Sequence, residues 1–113
     1  MLKKNYEFRK VLSKGKYYSG ENIEVFIQKN NKSINYIGLA ISSKTGNAII
    51  RNKIKRLIRE NYKEIESNLE NGYNILFLWK KKSSTDHARY SEIKKDFMNI
   101  FDKACIIKNK EII

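Results

Sequence analysis

An α+β fold with elements in the order α-β-β-β-α-β-α is predicted by three features of the sequence. These are alternating runs that suit half-buried strands, one short run that is apolar on both faces, and segments whose apolar residues recur at helical spacing. The expected architecture is a two-layer sandwich with helices packed on a sheet. With 113 residues, 41% of them hydrophobic, the chain can build one compact core but not two, so residues 1–113 are read as a single domain. It contains no proline, which leaves glycine, asparagine and the apolar periods to mark the boundaries.

Asn5 can cap a first helix over residues 6–14, in which Phe8, Val11 and Leu12 stand at i, i+3 and i+4, and Gly15 is placed for a left-handed stop. Residues Tyr17 to Ser19 suit a short edge strand. In "ENIEVFIQ", Ile23, Val25 and Ile27 alternate with Glu24, Phe26 and Gln28; after the turn residues "KNNKS", Ile37, Leu39 and Ile41 alternate with Tyr36, Gly38, Ala40 and Ser42. These two runs predict an antiparallel pair with one apolar face. "TGN" leads into a long helix, where Ile50, Ile54, Leu57, Ile58, Asn61 and Ile65 fall within about a third of the circumference. Gly72 closes the connection behind it. "YNILFLW" is apolar on both faces and too short for a core helix, so it belongs at the sheet centre. In the last segment, "YSEIKKDFMNIFDKACII", Ile93, Phe97, Ile100, Phe101 and Ala104 mark a third helix.

Twenty-four Lys and Arg against 12 Asp and Glu give a net charge of +12, which points to a polyanionic partner. A membrane is not expected to be that partner, because a spanning helix needs about 20 apolar residues and the longest run here is "ILFLW", 75–79. The N-terminal "MLKKNYEFRK" has no apolar stretch or small-residue cleavage site behind it, so no secretory signal is read and a cytoplasmic location is expected. A single cysteine, Cys105, excludes an internal disulfide, suits a reducing compartment and reads as a small buried hydrophobe. His87 is the sole histidine, so neither a zinc ligand set nor a Cys/His pair is expected, and no catalytic or metal-binding residue is assigned. Asp86 beside His87 is weighed as an acid/base pair against an ordinary loop, since adjacent residues seldom converge on one proton.

The charge gathers at "AIIRNKIKRLIREN", 48–61. Asn52, Arg56, Arg59 and Lys63 fall on the side of the long helix opposite its apolar stripe, with Lys55 near them and Arg51 and Lys53 at the flanks. A solvated face is the ordinary reading of such a run, but solvated faces carry acid–base pairs at i, i+4. From Val25 to Arg59 the chain has no Asp or Glu and eight Lys and Arg, so these cations are expected to lack nearby partners. Cations in the first turns also oppose the helix dipole, each at a cost of roughly 0.3–1 kcal/mol. A phosphate removes both conflicts, because backbone amides, the dipole and the guanidinium forks all favour it. A recognition helix in a DNA major groove would use similar residues, but here the helix follows strands instead of a short helix and tight turn.

The run "GLAISSKTGNAIIRNKIKRLIRE", 38–60, closely resembles the signature of the protein component of bacterial ribonuclease P, in which a Gly-Asn-Ala segment leads into a helix opening Arg-Asn-Arg, then Lys-Arg and a further Arg. "LKKNYEFRKVLSKG", 2–15, matches too, and the element order agrees over essentially the whole chain. The resemblance implies a ribosomal-protein-S5-domain-2-like fold with a mixed four-stranded sheet and a left-handed crossover between the third and fourth strands. It also implies a protein that assists an RNA enzyme. The catalytic RNA, with its Mg²⁺, removes the 5′ leader of precursor tRNA, and the protein binds both that RNA and the leader. No cofactor is implied for the protein alone, and one protein monomer is expected per RNA.

Carried onto this chain, the resemblance assigns Arg51, Asn52, Lys53, Lys55, Arg56 and Arg59 to the catalytic RNA. Phe8, Leu12, Phe26, Ala40, Ser42 and Lys44 would line a leader-binding cleft between helix one and the sheet. The alternation supports part of this independently. Phe26 lies among polar neighbours on its strand, facing the small Gly38, Ala40 and Ser42, and an aromatic over a shallow surface stacks single-stranded RNA at roughly 1–3 kcal/mol per base. Phe26 as ordinary core under helix one is the alternative. The chain departs from the family at two positions. Lys53 stands where a second Arg is usual and lacks its bidentate fork, and Leu12 stands where an aromatic is common. A general RNA chaperone using the same basic patch, and a protein-only nuclease using Asp86 and His87, are the competing readings.

Overall fold

The computed structural model of the protein describes residues 5–108, with side chains from Phe8 onward. Its elements are α1 (Asn5–Lys14), β1 (Lys16–Ser19), β2 (Ile23–Lys29), β3 (Tyr36–Leu39), α2 (Ala48–Ile65), β4 (Tyr73–Trp79) and α3 (Tyr90–Lys103), the predicted order. Short 3₁₀ turns occupy Ser43–Thr45, Glu66–Asn68 and Thr85–His87. The cap expected of Asn5 lies outside the described side chains.

The four strands form one mixed sheet in the order β1-β2-β4-β3. β2 runs antiparallel to β4, with Val25 opposite Phe77, and β3 runs parallel to β4, with Ile37 opposite Ile75. The expected antiparallel pairing of β2 with β3 is therefore wrong, because β4 lies between them. The segment that reads as their turn does reverse the chain, but it steps across β4 and sets β3 on the far side of it. It passes the start of β4 and is tied there: the Asn30 amide N–H donates to Gly72 O, Asn35 Nδ2 to Glu70 O, and the Tyr73 amide to Asn35 Oδ1. Asn31 takes φ 60° along this route and Gly72 takes φ 98°, the left-handed region where glycine is unstrained. Placed centrally, β4 has both edges paired and both apolar faces covered, which its sequence demands.

Ile23, Val25 and Ile27 of β2, with Ile75, Phe77 and Trp79 of β4, point to the face covered by α2 and α3. Phe77 lies at the centre, stacked on Phe97 at 5.1 Å and met edge-on by Phe101 and Tyr62, both at 6.2 Å. Helix α1 lies on the opposite face, where Val11 and Leu76 are both fully buried. The stripe of α2 behaves as predicted, with Ile54, Leu57, Ile58, Asn61 and Ile65 buried; Tyr62 joins them and Ile50 is half-buried.

Two punctuation readings are corrected. Gly15 is not left-handed, Gly72 being the glycine with positive φ among the described residues. Gly15 is needed because its amide hydrogen-bonds Val11 O, and a Cβ would run into that same oxygen. Cys105 is exposed, not a buried hydrophobe, and has φ 57°. It stands just after the α3 cap Ala104, where its amide donates to Asp102 O and that of Ile106 to Phe101 O. This is a Schellman stop, which requires a left-handed residue that points outward while the next one, Ile106, is buried.

A buried acid joins α3 to the sheet. Asp96 is 2% exposed; its Oδ1 accepts from the Glu21 amide at 2.8 Å, and its Oδ2 from the amides of Asn22 at 2.8 Å and Ile23 at 3.1 Å. Gly20 fits beside the carboxylate, where a Cβ would meet Asp96 Cγ at 2.5 Å. The Asn22 carbonyl in turn accepts from the Lys80 amide, and Ser83 Oγ donates to Glu21 O, so this tie also seats the loop after β4.

Candidate nucleic-acid interface

The approach to α2 is shaped by its own side chains. Ser42 Oγ accepts from the Lys44 amide at 3.2 Å and starts the Ser43–Thr45 turn; Asn47 Oδ1 accepts from the Ile50 amide at 2.9 Å and caps the helix. Arg51 is half-buried and turns back on this loop, its Nη1 donating to Gly46 O at 2.7 Å and to Ser43 O at 3.4 Å. That guanidinium braces the segment ahead of the helix. The first turn of α2 contains no acid, so its amides face no competing carboxylate.

Asn52, Lys53, Arg56 and Arg59 are exposed along the outer side of α2, and Lys55 is half-buried. One expectation fails: Arg56 has a partner, since its Nε lies 3.7 Å from Glu60 Oε1, one turn on and just past the acid-free run. Both side chains are mostly exposed, at 63% and 52%, so the pair contributes little and an incoming phosphate can compete for the Arg fork.

The other predicted set spans α1, β2 and the exit from β3. Phe8, Phe26 and Ala40 come together with Tyr36 and Leu78 around the buried Val11–Leu76 contact. Phe26 is half-buried, so it is partly covered by this packing and partly open, and the Tyr17 ring lies beside it at 5.1 Å and 56°. Leu12, one turn beyond Phe8 on α1, is 42% exposed. Ser42 and Lys44 lie beyond Ala40 and stand outside that apolar cluster, Lys44 exposed and next to the Ser42 hydroxyl that its amide meets. At the other edge, Tyr17 donates its hydroxyl to Glu24, which holds the phenol above its usual pKa. Glu21 and Glu24 place two carboxylates at that edge, beside Lys80, Lys81 and Lys82.

Sequence reasoning missed the cations that complete the β3 side. A concavity of about 300 Å³ is lined by Ser42, Lys44, Trp79, Lys80, Lys81 and Ser83. Parallel pairing carries the ends of β3 and β4 to the same end of the sheet, and the Ala40 amide still donates to Phe77 O beyond the last β3 residue. The signal was the "KKK" directly after "YNILFLW"; assigning β3 to β2 concealed its neighbourhood. The loop of residues 42–47 joins this concavity to the N-terminus of α2.

His87 does not face Asp86. Its Nδ1 lies 3.1 Å from Asn22 Oδ1, while the Asp86 amide donates to Ser84 Oγ. Among the described residues no three His, Cys, Asp or Glu gather in a group that could hold a metal ion, and no helix is long and apolar enough to cross a membrane.

Comparison with known proteins gives a consistent result. The family model described as Ribonuclease P matches residues 1–105. A ribonuclease P protein component of Clostridium botulinum is 37% identical over 106 residues, covering 93% of this chain and 94% of that protein. The Clostridium acetobutylicum protein of the same name is 36% identical over 108 residues, covering 94% and 89%. Among solved structures, the Staphylococcus aureus RNase P protein superposes with a TM-score of 0.83 at 28% identity, covering 95% of this chain and 96% of that one.

Proposed function

The chain belongs to the ribonuclease P protein family, a subunit of a ribonucleoprotein endoribonuclease whose RNA carries the catalysis, and we propose that it binds that RNA through the outer face of α2 and the 5′ leader of precursor tRNA beside α1. The observation that carries this reading is the cationic face of α2: Asn52, Lys53, Arg56 and Arg59 exposed on one side of a helix whose first turn has no acid. Phosphates of the catalytic RNA would meet these side chains together with Lys55, while Arg51 contacts RNA from the edge and holds the loop before the helix.

The leader would run over Phe8, Leu12 and Phe26, pass the shallow surface at Ala40, and leave past Ser42 and Lys44, with Lys80 and Lys81 adding cations there. Aromatic and aliphatic surface of this kind holds single-stranded RNA without choosing its sequence. Mg²⁺ would arrive with the RNA. The α2 face offers Lys, Arg and Asn with no carboxylate before Glu60, a set that suits phosphate oxygens and not a hard cation. One protein per RNA, acting in the cytoplasm, completes the proposal.

A general RNA binder would use the same patch, and competition separates the two. With labelled cognate catalytic RNA bound to the protein, an unrelated structured RNA of equal length should displace it only at about tenfold or higher concentration than unlabelled cognate RNA. Equal competition would establish the general binder.

A further inference from the structure

Ile49 is 78% exposed, the highest value among the exposed large apolar side chains of the described residues. It stands in the first turn of α2, two residues after the Asn47 cap. At 3.6 residues per turn it falls about 20° from Arg56 and about 60° from Asn52 around the helix axis, with Lys53 one turn along. It therefore lies on the cationic side of the helix, at the N-terminal end of that face and away from the stripe that Ile54, Leu57 and Ile58 bury against the core.

Folding does not call for isoleucine here. A β-branched residue is a poorer helix former than Ala or Lys, and this one buries little surface. An amphipathic membrane-binding helix would place further apolar residues at i+3 and i+4, where this chain has Asn52 and Lys53. One apolar side chain beside a row of cations matches the surface of a structured RNA, in which phosphates flank the apolar face of a ribose or of an unstacked base.

We infer that Ile49 packs against a ribose or an unstacked base of the catalytic RNA, at the N-terminal end of a face otherwise held by phosphates. The inference rests on α2 being the RNA-binding face and adds to it a contact of a different physical kind. Phosphate neutralisation releases counterions and weakens as salt rises, whereas an apolar contact releases none.

That difference supplies the test. The affinity of the full-length protein for its cognate catalytic RNA is measured over a salt series for the wild type, Ile49→Ala, Ile49→Val and Arg56→Ala. Ile49→Ala should bind about five- to tenfold more weakly at every salt concentration, on a log–log line parallel to that of the wild type, and Ile49→Val should stay within about twofold. Arg56→Ala should give a flatter line. An Ile49→Ala line that coincides with the wild type, or that changes slope, overturns the inference while leaving the α2 face intact. Should Arg56→Ala also coincide with the wild type, the assignment of the face itself fails. Thermal melting of Ile49→Ala should match or slightly exceed that of the wild type, since the side chain buries little and Ala is the better helix former.

Discussion

Replacing Arg56 and Arg59 together by alanine is expected to weaken binding of the catalytic RNA by about ten- to a hundredfold near physiological salt and to flatten the log–log salt dependence by about two units. Each guanidinium projects from the outer side of α2, and a phosphate that it no longer neutralises keeps its condensed counterions instead of releasing them. The Arg56–Glu60 pair does not offset this, because exposed pairs contribute little and Glu60 is left solvated. Stability should stay within about 0.5 kcal/mol of the wild type, since neither side chain touches the core stripe. Unchanged slopes in a folded double variant would remove α2 from the RNA interface.

Asp96→Ala is expected to destabilise the protein by about 3–5 kcal/mol, measured as urea or thermal unfolding. The substitution removes a buried carboxylate that accepts three backbone amides, and it leaves the amides of Glu21, Asn22 and Ile23 short of acceptors. The consequences extend to the candidate site, because the Asn22 carbonyl and the Glu21 carbonyl hold Lys80 and Ser83. Lys80 lines the concavity with Ser42 and Lys44, so a loosened β1–β2 turn should also disorder the cations on that side. A loss below about 1 kcal/mol would mean that water replaces the carboxylate and that the tie is not structural.

The elements legible in the sequence are those whose information is local and periodic. In α2, Ile54, Leu57 and Ile58 against Asn52, Arg56 and Arg59 separate into a buried and an exposed side because 3.6-residue spacing assigns each position directly. The doubly apolar β4 identifies itself as central for a similar reason. Strand partnership is not local: β2 and β3 look like a hairpin because they are consecutive, and only the need of β4 for neighbours at both edges overrides this. That single misassignment concealed Lys80 beside Ser42, and with it part of the candidate site.

Other misses come from residues whose context outweighs their type. Cys105 is apolar by composition but sits where α3 must stop, and the Schellman geometry turns it outward. Arg51 belongs to the cationic run by spacing, yet its fork is aimed at Gly46 O by a loop whose path no local pattern records. Asp96 did leave a trace: it lies three residues after Ile93 and four before Ile100, a carboxylate on a buried stripe that had to find donors inside.

The central claim, that this chain serves the catalytic RNA as a subunit and does so by binding RNA, is tested most directly by reconstitution. Purified protein is added to the cognate catalytic RNA and precursor tRNA at a Mg²⁺ concentration too low for the RNA alone to process efficiently. Formation of the mature 5′ end should rise by about tenfold or more, equivalent to about 1.4 kcal/mol or more of barrier. A rate unchanged by the folded protein would contradict the account.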